Sequence, residues 1–136
     1  MPNWSVWIFE KEQGRCPFDK WKNSNALTTK DRAALDTKVL TVEAWSGPLL
    51  PLETLKDYQG TNLKELKVRG DKKQLRPLCV VDKEKKIIVL CGAIEKGSTI
   101  PNGDIKSGEN LRSEYLSGNG TIRRYFEDQN DLEEVV

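Results

Sequence analysis

The sequence predicts an α+β fold, in which helices pack on one face of a small, mostly antiparallel sheet. Three observations support this class: an N-terminal run with alternating apolar side chains, a capped amphipathic helix, and three successive strand-like runs followed by a second helix. Strands that follow one another through short turns pair antiparallel. Because no internal repeat or linker interrupts the 136 residues, we expect a single domain over 1–136.

The first predicted element is a strand over residues 3–10, NWSVWIFE. Trp4, Val6 and Ile8 point to one side and Trp7 and Phe9 to the other, so both sides are partly apolar. A strand of this kind lies in a sheet that is covered on at least one side. The following PFDKW segment predicts a short helix, because proline favours the first helical position.

The clearest helix begins near Thr28, which forms an approximate capping box with Asp31 three residues later. Apolar residues then recur at the i, i+4 and i+7 positions of one face: Leu35, Val39 and Val42. The dipeptide Gly47-Pro48 ends this helix, and we interpret residues 48–60 as a loop or a broken turn.

Three strand-like runs follow, over residues 62–69, 74–82 and 87–94. The last two are apolar on both sides near their middle, as in central strands. Pairing Val81 with Val89 would place Cys79 opposite Cys91, a register in which apolar residues meet. Pro77 has no N–H to donate, so it indicates a bulge or an irregular edge.

The C-terminal part predicts a second helix over residues 104–116, weakened by Gly108 at a cost of ~1 kcal/mol relative to alanine. The TIRRYFE segment adds a strand or a docking piece. We expect the last ten residues, 127–136, to form a mobile acidic tail, since they contain five carboxylates and no base.

Composition restricts the possible functions. The formal net charge is +1, yet residues 64–96 contain ten Lys or Arg residues and only five Asp or Glu residues. This imbalance suits an anionic partner or, alternatively, a solvated face. No apolar run reaches the ~20 residues of a membrane span, and no secretion signal is visible, which predicts a soluble cytoplasmic protein. With no histidine and only three cysteines, we expect no metal site, and we expect the thiols to be reduced. Because the sequence has no phosphate-cradling glycine loop, we expect no organic cofactor.

The second half of the sequence resembles the RelE/ParE toxin superfamily, and is most similar to its phage-derived HigB-like branch. The resemblance covers about residues 4–116. Its pattern includes an L-x-E-L stretch, an arginine on the next strand, a strand ending in basic residues, a proline loop, and a helix with an arginine. In this chain the corresponding residues are Leu63 to Lys67, Arg76, Ile87 to Lys96, Pro101 and Arg112.

The resemblance implies a RelE-like fold, a cognate antitoxin, and cleavage of mRNA on the ribosome. That reaction needs a base near the ribose 2′-hydroxyl, cations at the phosphate, and an acid at the leaving oxygen. We assign Arg76, Lys96 and Lys67 as catalytic candidates, with Arg76 as the phosphate clamp. Glu65 is the one acid placed to act as a base, or as the ion-pair partner of Arg76. The candidate RNA contacts follow: Arg69, Arg112 and Tyr125.

Other interpretations of these residues stay open. Arg76 can be a structural ion-pair residue, Lys96 an exposed loop lysine, and Tyr125 a core residue. The four tryptophans could stack on bases, although their spacing favours core packing or a protein partner. The whole chain could instead be a non-catalytic binding protein, an inactive toxin relic, or a gyrase inhibitor like ParE.

Overall fold

A computed structural model describes residues 2–126 of the chain, and the expected acidic tail at 127–136 lies outside this range. The strands are β1 (Ser5–Glu10), β2 (Leu55–Asp57), β3 (Lys64–Leu66), β4 (Val68–Arg69), β5 (Gln74–Leu75), β6 (Leu78–Asp82), β7 (Lys86–Cys91) and β8 (Thr121–Arg124). The helices are α1 (Pro17–Lys22), α2 (Thr29–Glu43) and α3 (Asn102–Leu116), and a 3-10 turn spans Glu12–Gly14.

Six strands form the main sheet in the order β2-β3-β6-β7-β1-β8. Only β1 and β7 pair in parallel, and the other neighbours are antiparallel. The strands β4 and β5 form a separate two-stranded ribbon. The predicted α+β class with a mostly antiparallel sheet is therefore confirmed.

The two long helices cover different faces of the sheet, in contrast to the expected packing of the helices on one face. Val6 and Ile8 of β1 share a core with Leu35, Val39 and Val42 of α2. The alternate β1 residues, Trp7 and Phe9, belong to a second core that includes Leu111 of α3. This division follows from the two-residue period of a strand. It also explains why the sequence of β1 is apolar on both sides.

The start of α2 matches its sequence signature. The Thr28 hydroxyl accepts a hydrogen bond from the Asp31 N–H, and the Asp31 carboxylate accepts one from the Thr28 N–H. Asp31 is fully buried and also receives the Asp71 N–H and the Lys73 ammonium, each at 2.7 Å. This single carboxylate therefore fixes the start of α2 to the β4–β5 ribbon.

The register predicted for the β6–β7 hairpin is wrong by two residues. Asp82 pairs with Lys86, so the loop is only Lys83 to Lys85, with Glu84 and Lys85 at positive φ. Cys79 consequently lies opposite Val89, and a shift between Leu78 and Cys79 brings Cys91 opposite Leu78. The irregularity falls just after Pro77, as that proline indicated. All three thiols are free.

Candidate functional site

A polar cleft of about 370 Å³ lies at the β2–β3 edge of the sheet. Its walls come from β2, β3, the segment after β2, and the segment after β7. The cleft is lined by Lys56, Asp57, Tyr58, Gln59, Glu65, Lys67, Glu95, Ser98 and Thr99. It brings together residues that are about forty positions apart in sequence, and we call it the β-edge cleft.

Arg76 forms the base of this region, in a buried ionic cluster with two carboxylates. Its Nη2 lies 2.7 Å from Oε2 of Glu95, and its Nε lies 3.5 Å from Oε1 of Glu65. The side chains of Arg76, Glu65 and Glu95 are 9%, 11% and 18% exposed. Arg76 Nη1 also donates to the carbonyl of Leu75. The buried Nε makes no hydrogen bond, and the contacts of the guanidinium are all to protein groups, as expected if Arg76 is a structural ion-pair residue.

The backbone explains why Arg76 is buried. Its N–H and C=O pair with the C=O and N–H of Ala93, so the residue extends the sheet between β5 and β6. Glu95 follows two positions later on the same extended segment, where its N–H donates to Gln74. Residues two apart on a strand share a face, and this places Glu95 beside the guanidinium.

Glu65 lines the β-edge cleft with a carboxyl whose pKa is altered by its surroundings. Burial raises the pKa of its carboxyl, and the nearby charges of Arg76 and Lys67 offset only part of that increase. The Arg76 guanidinium is closer to Glu95 than to Glu65. Glu65 therefore keeps part of its hydrogen-bonding capacity for a group in the cleft.

The β-edge cleft is lined by Lys67, Lys56 and Tyr58 together with Glu65, and the two lysines act electrostatically on the Glu65 carboxyl. Lys67 is half-buried and Lys56 is exposed, and within residues 2–126 neither forms an ion pair. The Tyr58 hydroxyl accepts a hydrogen bond of 3.1 Å from the Ile100 N–H, which leaves its own proton to donate. Sequence reasoning missed Lys56 and Tyr58, because a three-residue strand such as β2 is too short to produce a periodic pattern.

Lys96 does not line the β-edge cleft. It is exposed and starts a tight turn in which its backbone pairs with Thr99. Burial raises the pKa of the Asp104 carboxyl, and the positive charge of Lys96 offsets part of that increase. Adjacent residues on an extended segment face opposite ways, so Glu95 faces Arg76 while Lys96 faces the start of α3.

The three candidate RNA contacts occupy separate places. Arg69 is exposed on the β4–β5 ribbon, and Arg112 is half-buried on α3. Tyr125 is buried in the core, where its hydroxyl donates to Asp36 at 2.8 Å and the Lys22 ammonium lies over its ring. That ring is covered by protein, which agrees with the interpretation of Tyr125 as a core residue.

Two further properties concern the described part of the chain. Among residues 2–126, no group of three or more histidine, cysteine, aspartate or glutamate side chains is arranged to hold a metal ion. Within the same residues, no helix has both the length and the apolar character required to cross a membrane.

Comparison with known proteins identifies the family. No curated protein and no solved structure shows significant similarity to the chain. The family model described as phage derived protein Gp49-like (DUF891) matches residues 23–113, which include α2, the β-edge cleft and most of α3. This family is known as one of RelE/HigB-like toxins, in agreement with the resemblance found in the sequence. The chain belongs to the Gp49-like family of phage-derived proteins.

Proposed function

We propose that the protein is the toxin of a type II toxin–antitoxin system and cleaves mRNA on the ribosome. Family membership supports a toxin-like protein with an antitoxin partner. The observation that carries the nuclease proposal is the β-edge cleft, where a carboxylate of raised pKa adjoins two lysines and a phenol. These are the group types that cleavage by a ribose 2′-hydroxyl requires when histidine is absent.

In the proposed reaction, Glu65 accepts the proton of the 2′-hydroxyl, and the 2′-oxygen attacks the adjacent phosphorus. The bond from phosphorus to the 5′-oxygen breaks, which yields a 2′,3′-cyclic phosphate and a 5′-hydroxyl end. Lys56 and Lys67 stabilise the charge that develops on the phosphate oxygens. Tyr58 donates its proton to the leaving 5′-oxygen. The ribosome aligns the message, which supplies the orientation that these weak acids and bases need.

Arg76 has a different role in this proposal from the phosphate clamp expected from sequence. It holds Glu65 and Glu95 in place from below the β-edge cleft, so it acts as a positioning residue. Lys96 remains a candidate for contact with the RNA backbone, because it is exposed beside the cleft. It would act through its charge at the rim.

The experiment is to add the protein to a defined translation system and map mRNA 5′ ends by primer extension. Glu65→Gln preserves the shape of the side chain and removes the base, so we expect at least a 100-fold loss of cleavage. Glu84→Gln is the matched control, since Glu84 is exposed in the β6–β7 loop. Folding of both variants is checked by circular dichroism.

Each result has a clear meaning for the nuclease proposal. New ends that require ribosomes, that persist in Glu84→Gln and that disappear in Glu65→Gln support it. Absence of cleavage by the folded wild-type protein refutes it. Full activity of Glu65→Gln refutes the assignment of the base.

The second candidate function is a non-catalytic binding protein on the same fold. It is favoured by the burial of Arg76 between two carboxylates, which removes from the surface the cation best suited to hold a phosphate. Growth arrest that persists in Glu65→Gln, with no cut messages, would support binding without cleavage. Arrest accompanied by DNA damage would indicate gyrase as the target.

A further inference from the structure

A second and larger cleft, of about 620 Å³, lies between α1 and α3 at the carboxyl end of β7. We call it the α1–α3 cleft. Its volume is within the range of ligand-binding pockets, ~300–1,000 Å³. The reaction proposed above uses none of its residues.

The base of the α1–α3 cleft is apolar and contains an aromatic ring. Gly92 has no side chain, and an added Cβ would lie only 2.0 Å from Cε3 of Trp21. The indole therefore lies directly on the Gly92 backbone. Trp21 is half-buried and lines the cleft together with Leu111 and Cys91, so part of its ring faces the open volume.

The rim of the α1–α3 cleft carries cations and hydrogen-bonding groups. Lys20 is exposed and forms no ion pair within residues 2–126, whereas Lys11 lies 3.7 Å from Glu114. Asn110, on α3, offers an amide that can both donate and accept. These groups match a nucleotide. The aromatic surface can stack on its base, the cation at the rim can bind its phosphate, and the amide can hydrogen-bond the edge of the base.

We propose that the α1–α3 cleft binds one unstacked nucleotide of a single-stranded RNA, with its base against Trp21 and its phosphate at Lys20. This inference rests on the proposed function, because it assigns the RNA a second contact outside the β-edge cleft. Stacking on an aromatic side chain contributes affinity and tolerates any base. The subsite thus supplies affinity for the RNA strand.

The position of the α1–α3 cleft relative to the β-edge cleft supports binding of one RNA strand to both clefts. Glu95 lines the β-edge cleft, and Asp104 lines the α1–α3 cleft. Lys96, next to Glu95, lies close enough to influence Asp104. The exposed Lys96 therefore adjoins a residue of each cleft, and the proposed strand would pass it.

The test measures binding in the absence of ribosomes, so cleavage cannot affect it. The ¹⁵N-labelled full chain is titrated with a 2′-O-methyl RNA pentanucleotide of mixed sequence, which cannot be cleaved. We expect a saturable shift of the Trp21 indole N–H signal and none at Trp45, which is exposed after α2. Lys20→Glu should weaken binding about three- to tenfold, as expected for one surface charge contact. Lys30→Glu, at an exposed position of α2, is the control.

The outcomes separate this inference from the nuclease proposal. A Trp21 response that Lys20→Glu weakens and Lys30→Glu does not supports the subsite, whether or not the protein cuts messages. A stationary Trp21 signal at millimolar RNA refutes it. Equal weakening by the two variants also refutes it, because RNA binding would then depend on general charge. A response to a synthetic peptide of residues 127–136, and none to RNA, would show a site for an acidic protein segment.

Discussion

Replacement of Arg76 tests whether the ionic cluster is structural. Arg76→Met keeps an apolar stem and leaves Glu65 and Glu95 as two neighbouring carboxylates without their cation. Removing one partner of a buried ion pair costs ~3–5 kcal/mol. The 9% exposure of Arg76 and the exposures of 11% and 18% of its partners place the cluster in that class. We therefore expect a loss of about 3 kcal/mol in the free energy of unfolding at neutral pH.

The assay is urea unfolding followed by tryptophan fluorescence, at pH 7 and at pH 4. Burial already raises the pKa of Glu65 in the wild-type protein, and loss of the cation should raise it further. A carboxyl whose pKa is higher in the folded state than in the unfolded state does not destabilise the fold below its unfolded-state pKa. It destabilises the fold increasingly as the pH rises above that value. The cost of Arg76→Met should therefore shrink at pH 4.

A compensating variant makes the test of the cluster specific. Adding Glu65→Gln and Glu95→Gln to Arg76→Met removes both unpaired charges and should restore part of the lost stability. A cost below about 1 kcal/mol for Arg76→Met, equal at both pH values and unchanged in the triple variant, would refute a structural role for the guanidinium.

The remaining predictions concern stability and thiol reactivity. Asp31→Asn should lose about 1–2 kcal/mol by urea unfolding, as for other helix caps. Burial alone would raise the pKa of Asp31, but its hydrogen bonds lower that pKa to about 2. The difference in unfolding free energy between Asp31→Asn and wild type should therefore vanish as pH falls from about 4 towards 2. A difference that stays constant over this range would contradict the assignment. Gly92→Ala should cost ~1–3 kcal/mol in thermal unfolding, since its Cβ would overlap the indole ring, and an unchanged Tm would contradict that packing. Burial raises the pKa of all three thiols, to about 12 at Cys79 and Cys91, but Cys16 is half-buried whereas the other two are buried. Only Cys16 should therefore react with a thiol reagent before unfolding, and rapid modification of a second thiol would disagree.

The elements that sequence predicts well are those stabilised by local patterns. Thr28 and Asp31 identify the start of α2 because both partners of the capping box lie within one turn. The hairpin register was not predictable in the same way. It depends on positive φ values at Glu84 and Lys85, which nothing in the KEKK sequence specifies. A charged loop without glycine or asparagine gives no indication of its length.

The residues of the candidate site were predicted less completely than the fold, for a physical reason. An arginine on a central strand shows that a charge is buried or in a cleft, but not which carboxylates accompany it. Glu65 was recognised as a possible partner, whereas Glu95, the closer one, was not identified from the sequence. Its contact with Arg76 arises from strand pairing between residues 74–76 and 93–95, which is a tertiary property.

The ionic cluster also bears on how a near-neutral protein can act on RNA. Arg76 is neutralised by carboxylates, and Arg124 is paired with Glu43 at 3.0 Å. Lys56, Lys67 and Lys96, by contrast, form no ion pair within residues 2–126 and lie in or beside the β-edge cleft. The charge that an RNA would meet is therefore set by these lysines and not by the net charge of +1. The rate of the proposed reaction should fall steeply as the salt concentration rises, because contacts with phosphate release bound counterions.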